Sequence, residues 1–423
     1  MTEIIMGQTI AEKILSFHSG KKLESGDICI ANVDFVMGQD GTTPLVIEAF
    51  KNLGAKQIFD CEKTCFVFDH SAPSPNMGVS ALHKLMRDFI SNHKIQKMEI
   101  GEGICHVLVP EKGFLKPGNL VVGADSHTPT YGALNILSCG MGSTDIAIAL
   151  MTGKQWFKVP RTTKVVFEGK LPFGVYAKDL GLLMVKTITA SGAIYHSLEI
   201  TGDTIAALSM DGRFTIANLV TEVGGKTCCM EYDKKVEEYL KPFYSPESLN
   251  PVFSDKDAKY DNEIHLNIEN LNPLVAKPHT VDNVDQAQHF KGTKINQAFI
   301  GTCTNGRIED LEIVAGILKG KKVNPDVRTI ITPGSRKIFL EALEKGFIKI
   351  FLESGCCVTN PGCGACVGTH QGIPSDNDVV ISTANRNFKG RMGNPNAFIY
   401  LASPATVAAS AITGEITDPR NFL

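Results

Sequence analysis

Three cysteines carry the strongest chemical signal in this chain. Cys363 and Cys366 form a C-x2-C pair in Val358-Thr-Asn-Pro-Gly-Cys-Gly-Ala-Cys366. The flanking glycines and proline suit a tight loop whose backbone passes close to a bound group. The third, Cys303, lies in Gly301-Thr-Cys303-Thr-Asn-Gly306, after an apolar run Ala298-Phe299-Ile300 that reads as a strand ending in a glycine turn. Three thiolates leave a cubane iron–sulfur cluster one ligand short, so one iron keeps an open position and can act as a Lewis acid. Zinc is an alternative, with His370 as a fourth ligand. A redox dithiol is another, although the proline and glycines around the pair do not resemble the strand-to-helix setting of that motif. Spacing alone leaves these readings open.

Other polar bursts narrow the choice. Ser382-Thr-Ala-Asn385-Arg386-Asn-Phe-Lys-Gly-Arg391 sets two arginines five residues apart around a glycine. Guanidinium forks bind carboxylates in pairs of hydrogen bonds, which suits a di- or tricarboxylate ligand. Asp69-His70 reads as a carboxylate orienting an acid–base imidazole, with His106 as a neighbour. Asp125-Ser126-His127 follows directly on the apolar strand Asn119 to Gly123. In α/β sheets, ligand groups collect at strand ends of this kind.

The elements that must position these groups alternate in α/β fashion. Pro44 to Leu53 reads as a helix with Pro in its first turn and Gly54 as a stop. Thr64 to Phe68 reads as a strand delivering Asp69 and His70. Val79, Leu82, Leu85, Met86, Phe89 and Ile90 recur at helical spacing, and that helix ends near Lys94. Ser143 to Gly153 is an apolar helix with a glycine cap. Strands are expected at Lys164 to Glu168, Leu198 to Ile200, Ala298 to Ile300, Arg328 to Thr332 and Val379 to Ser382. Tyr232 to Asp261 reads as charged surface helix and loop, and Pro273 to Pro278 with Asp282-Asn283 as a linker. Three α/β domains are therefore expected, over residues 1–160, 161–281 and 282–423. The run from Val121 to Lys154 is echoed by the run from Val379 to Glu415, which suggests that the first and third are related folds.

At 423 residues the chain exceeds a single core. A net charge of −3 gives no sign of a nucleic-acid or anionic-membrane surface, and no apolar run is long enough to span a bilayer. The N-terminus does not read as a secretory signal. Twelve cysteines in so long a chain fit a reducing compartment, and the cytoplasm is expected. Cys29, Cys61, Cys65, Cys105 and Cys139 are expected to be small buried hydrophobes.

Taken together, the cysteine segments, Gly123-Ala-Asp-Ser-His-Thr128, Asn385-Arg-Asn-Phe-Lys-Gly-Arg391 and Ala276-Lys-Pro-His-Thr-Val-Asp-Asn283 resemble the aconitase superfamily, over essentially the whole chain. The resemblance implies a three-domain fold packed around one [4Fe-4S] cluster with one iron not ligated by cysteine. Cys303, Cys363 and Cys366 match the cluster ligands. Asp69, His70, His106, Asp125, Ser126 and His127 match catalytic positions, and Gln39, Asp40, Arg386 and Arg391 match substrate-binding ones. Asn218, Glu222 and Asn385 match residues near the cluster. Full aconitases carry a fourth, swivelling domain that this sequence lacks. The length therefore implies the large subunit of a heteromeric hydro-lyase whose small subunit supplies that domain and the catalytic serine. Isomerisation of 2-isopropylmalate to 3-isopropylmalate, in leucine biosynthesis, is the reaction favoured. Homoaconitate hydration and 2,3-dimethylmalate dehydration are the alternatives within the family, and a zinc-stabilised, non-catalytic scaffold is the alternative outside it.

Overall fold

A computed structural model describes residues 7–423. Its framework is three mainly parallel sheets. The first has the order Gln96–Met98, Thr64–Val67, Phe35–Gln39, Leu120–Gly123, Leu137–Gly140, with every neighbour parallel. All residues of Phe35–Gln39 and of Thr64–Val67 are buried, as expected where helices cover both faces and strands read as continuous apolar runs. The earliest of these strands lies in the middle. The chain builds outward to one side and then returns to the other, so the strand order reverses between Phe35–Gln39 and Leu120–Gly123. Such a switch point leaves a crevice at the carboxyl ends of the strands.

The third sheet repeats this plan. Its parallel core runs Cys357–Val358, Arg328–Ile331, Gln297–Ile300, Val379–Ser382, Phe398–Ala402. Numbered along the chain, both sheets have the order 3-2-1-4-5. The sequence echo is the fourth strand of each: Leu120–Gly123 leads into Asp125-Ser126-His127, and Val379–Ser382 into Asn385-Arg386. Helices Ser143–Thr152 and Pro404–Thr413 then close the two units, each stopped by a glycine in the left-handed region, Gly153 and Gly414. The second sheet, between them, is Thr227–Met230, Ser197–Thr201, Thr162–Glu168, Asn262–Asn267, again all parallel.

Two details depart from the sequence reading. The stretch read as a linker contains a buried strand, Leu274–Ala276, which pairs antiparallel with both Val284–Gln286 and Phe398–Ala402 in the third sheet. Pro273 and Pro278 bound this strand without interrupting its hydrogen bonds, and the sequence alone made them look like breakers. It also lies before the expected division at residue 281. The second departure is in helix Met77–His93, capped by the Asn76 side chain on the Val79 amide at 3.0 Å. Its buried stripe is His83, Met86, Phe89 and Ile90, whereas Leu82 is 43% exposed. Burying Met86, Phe89 and Ile90 stabilises the unit by about 1.5–3 kcal/mol per side chain. The burial of His83 has a different cause, described below.

Candidate active site and metal centre

Every group singled out for chemistry leaves the carboxyl end of a strand in the first or third sheet, or sits on a helix facing those ends. Cys303 begins right after Gln297–Ile300, where the chain turns through Gly301 (φ 151°) and Thr302 (φ 76°). A non-glycine residue at positive φ is held only where its surroundings fix it. Here the Thr383 hydroxyl bridges both the amide and the carbonyl of Gly301 at 3.0 Å. Between the other two cysteines, Gly364 has φ 58°, and a Cβ there would lie 2.7 Å from the Thr332 hydroxyl. Only glycine lets the backbone pass so close. The cysteine loop is also tied to the first unit, since the Cys363 amide donates to the Asp69 carbonyl at 3.0 Å.

His70, His106, Asp125, Ser126, His127, Cys303, Cys363, Cys366, Asn385, Arg386 and Arg391 line one cavity, together with Ile104, Thr302 and Val367. Larger grooves exist on the surface, but they contain none of these groups. His70 Nδ1 meets Asp69 Oδ1 at 2.8 Å, which turns Nε2 towards Asp125 Oδ2 at 3.4 Å. Burial opposes charge on His70, yet a charge on Cys363, the carboxylate of Asp69 and hydrogen bonds to Asp125 and Asp69 raise its pKa well above the ordinary range. Asp125 Oδ1 accepts from His106 Nε2 at 2.7 Å and from the His127 amide at 2.8 Å. Burial would raise the Asp125 pKa, but the charge and hydrogen bond of His106, with those of His127 and His70, hold it well below the carboxylate range. His127 Nε2 meets Glu222 Oε1 at 2.7 Å, and Glu222 in turn receives the Arg386 Nε at 2.9 and 3.1 Å. These bonds outweigh the burial of Glu222 and lower its pKa. Around the cavity, then, each imidazole is oriented by a carboxylate.

The donor set suits an iron–sulfur cluster. All three sulfurs are buried, and N–H groups are aimed at two of them: Asn218 at 3.2 Å and Asn385 at 3.5 Å on Cys303, and Arg391 at 3.2 Å on Cys366. Such donors support thiolates that carry cluster charge. Burial pushes the Cys303 thiol up to about 12 and Cys363 well above its ordinary range, so metal is what would deprotonate them. A single tetrahedral ion with metal–sulfur bonds of about 2.3 Å would need its sulfurs within roughly 4 Å of one another. Among the described residues, the one tight group of three such ligand atoms, all within 4.8 Å, is Asp69, His70 and Cys363. The three cysteines are therefore spread too widely for one zinc ion and suit a larger inorganic core. His370, the fourth ligand in the zinc alternative, lies outside that group, and its buried Nε2 has no hydrogen-bond partner among the described residues.

Two residues expected to touch substrate are bonded to protein groups in this structure. Both Asp40 oxygens are committed to protein: Oδ1 accepts the amides of Asp69 and His70 at 3.0 and 2.7 Å, and Oδ2 accepts the Ser71 amide at 2.9 Å and His83 Nε2 at 3.0 Å. Asp40 thus supports the loop that carries His70 from behind, and this is why His83 is buried. Burial opposes its charge, but His83, His70 and the amides win and hold its pKa far below the carboxylate range. Gln39 Nε2 reaches Asp125 Oδ2 at 3.3 Å, so it braces that carboxylate from the neighbouring strand. Asp40→Asn should cost about 2–3 kcal/mol at neutral pH, because it leaves buried donors poorly matched. A depressed carboxylate contributes stability above its unfolded pKa of about 4 and loses it as pH falls through the folded value. Urea melts should therefore show the gap between parent and variant closing below about pH 4.

Sequence reasoning missed four supporting groups. His83 was hidden in an amphipathic stripe. The Tyr131 hydroxyl lies 3.2 Å from His106 Nδ1. Arg307, almost fully buried, donates to the carbonyl of Cys303 at 2.8 Å and lies over the Phe214 ring. Lys178 donates into the Asn385 loop. None stands in a motif, and apart from the Cys303 carbonyl that Arg307 meets four residues back, their partners are distant in sequence.

Fold and site together define an α/β protein with three buried cysteines at one cavity, ringed by oriented imidazoles and two arginines. The model of the Aconitase family (aconitate hydratase) matches residues 12–290 and 279–414, and the chain belongs to that family. An iron–sulfur cluster is the cofactor this membership implies. Among curated relatives, the 3-isopropylmalate dehydratase large subunit 1 of Thermotoga maritima is 49% identical over 99% of this chain and 100% of its own length. Large subunit 2 of Archaeoglobus fulgidus is 48% identical over 99% and 100%, and the large subunit of Elusimicrobium minutum 47% over the same shares. Among solved structures, the holo form of Thermococcus kodakaraensis aconitase X superposes with a TM-score of 0.51 over 87% of each chain. At 11% identity that match speaks for the fold alone. No helix among the described residues is long and apolar enough to cross a membrane.

Proposed function

We propose that this chain is the cluster-bearing large subunit of a 3-isopropylmalate dehydratase, a hydro-lyase that moves a hydroxyl between adjacent carbons of 2-isopropylmalate by loss and return of water. The observation that carries this reading is the single cavity in which Cys303, Cys363 and Cys366 meet Arg386, Arg391 and the oriented His70. The relatives that match over their whole length, all named for this activity, support the choice of substrate. We take the three sheets as three domains and the reducing cytoplasm as the setting for so many free thiols.

A [4Fe-4S] cluster held by the three cysteines would supply a Lewis-acidic iron without a cysteine ligand, which favours departure of the substrate hydroxyl. The chain's own groups do the rest. Arg391 and the terminal nitrogens of Arg386 bind carboxylates and fix which face of the substrate meets the centre. His70, charged and held by Asp69, gives the Nε2 proton to the departing oxygen, so hydroxide leaves as water. Asp125 keeps His70 and His106 oriented. The proton on the neighbouring carbon must go to a base, and no residue in this cavity is assigned that part. A serine on a small-subunit partner would take it, leaving an alkene to which water returns with the positions of H and OH exchanged.

The test is anaerobic co-expression with a small subunit, followed by hydration of isopropylmaleate and of cis-homoaconitate, read as loss of alkene absorbance. Preference for isopropylmaleate is expected. Preference for cis-homoaconitate would keep the residue roles and overturn the substrate. Bound zinc without iron or sulfide would overturn the cluster.

A further inference from the structure

Lys178 is a buried cation that the reaction described above does not use. It lies in the first turn of helix Ala177–Ile188 and is fully buried. Both facts disfavour it, since the helix N-terminus is the positive end of the dipole and burial strips the ammonium of water. Burial pulls its pKa down to about 7, against the opposing fields of Cys303, Asp310, Cys366 and Glu222. What it gains is two hydrogen bonds, to the Thr383 carbonyl at 2.8 Å and the Ala384 carbonyl at 2.6 Å. These are the two residues between strand Val379–Ser382 and Asn385-Arg386. Asn385 then reaches Cys303 Sγ and Asn218, while Arg386 reaches Glu222 and the Ser126 hydroxyl.

The next residue strengthens the anchor. Asp179 is also buried, and its carboxylate accepts the Leu274 amide at 2.8 Å and the Tyr176 amide at 2.9 Å. Leu274 opens the strand that pairs with Phe398–Ala402. One helix turn thus holds the third sheet at two points, through Asp179 at its antiparallel edge and through Lys178 at the loop facing the cavity. Leucine or methionine would fill the volume without the desolvation cost, but two carbonyls would then turn freely.

We propose that Lys178 is a positioning residue: its ammonium gathers the carbonyls of Thr383 and Ala384 away from the cavity and so aims Asn385 at the cluster cysteine and Arg386 at the substrate carboxylate. It touches neither substrate nor cluster. The proposal rests on the function proposed above, in that the aimed loop is the carboxylate-binding one.

Three readouts test it in the complex with its small subunit: cluster absorbance, the split between KM and kcat, and hydrogen–deuterium exchange of peptide 383–388. Lys178→Met should keep the cluster spectrum and raise KM about tenfold with kcat within about threefold, since a misplaced binding group weakens capture before chemistry. Exchange should rise in peptide 383–388 while the strand Val379–Ser382 stays protected. Lys178→Arg, which keeps a charged donor, should recover most of both effects. If the Met variant does not fold, Lys178→Gln replaces it, with a smaller rise of about threefold in KM. A folded neutral variant with parental KM and parental exchange overturns the proposal. So does failure of both neutral variants to fold, which would make Lys178 a residue of the fold. The exchange readout needs no substrate, so it stands apart from failure of the parent enzyme to turn over isopropylmalate.

Discussion

Cys363→Ser is expected to yield a folded protein with no iron–sulfur absorbance and no measurable turnover. The fold should survive because Cys363 is anchored by its backbone, through its amide to the Asp69 carbonyl, and serine preserves that bond. The chemistry should not survive, because a serine hydroxyl is a hard ligand that gives up its proton far less readily than a thiol, and cluster irons prefer thiolate. The loss should exceed that from any change among the histidines, since in the proposed mechanism every other group acts on a substrate that the cluster would help to hold. Iron and acid-labile sulfide analysis, with visible absorbance, checks the first part, and turnover with the partner subunit checks the second. A normal cluster in this variant would count directly against the ligand assignment.

Arg391→Lys should lower kcat/KM by about 10²–10³ while leaving the cluster in place, the size expected when a buried charge pair loses its match. Arg391 is the better candidate of the two arginines for a large effect, and the geometry gives the reason. Arg386 has its Nε committed to Glu222 and one terminal nitrogen on the Ser126 hydroxyl at 3.1 Å, so only part of its fork is left for a ligand. Arg391 places one terminal nitrogen on Cys366 Sγ and within 3.5 Å of Asn385 Oδ1, while its buried Nε has no partner among the described residues. A buried donor without an acceptor is costly, and a substrate carboxylate would satisfy it. Lysine offers a point charge in place of a planar fork, so it cannot serve the sulfur and the carboxylate together. Steady-state kinetics and the cluster spectrum should separate cleanly. Parental kinetics in this variant would remove Arg391 from the substrate.

The groups that line the cavity were legible in the sequence because they sit in short polar bursts after apolar runs. Asp69-His70, Asp125-Ser126-His127, Cys303 and Asn385-Arg386 all mark strand ends, where side chains meet a ligand and backbone turns need glycine. The echo between Val121–Lys154 and Val379–Glu415 was legible for the same reason, and it surfaces as two sheets with one strand order. What was not legible is the support behind those groups. Asp40 was expected at the substrate because the family resemblance places it beside Gln39, yet its oxygens are spent on amides and on His83. Lys178 lies 205 residues from Thr383, and nothing local distinguishes it from a surface lysine. The buried strand Leu274–Ala276 was hidden by its flanking prolines. Local pattern reports which face a residue shows. It does not report which distant backbone group will need a donor.

The measurement that bears most directly on the central claim is Mössbauer spectroscopy of the iron-57-loaded complex, with and without 2-isopropylmalate. If one iron lacks a cysteine ligand and faces Arg391 and His70, a quarter of the iron signal in a four-iron cluster should shift on addition of substrate, with the remainder unmoved. A spectrum in which no iron responds, although substrate binds, would contradict the account at its centre.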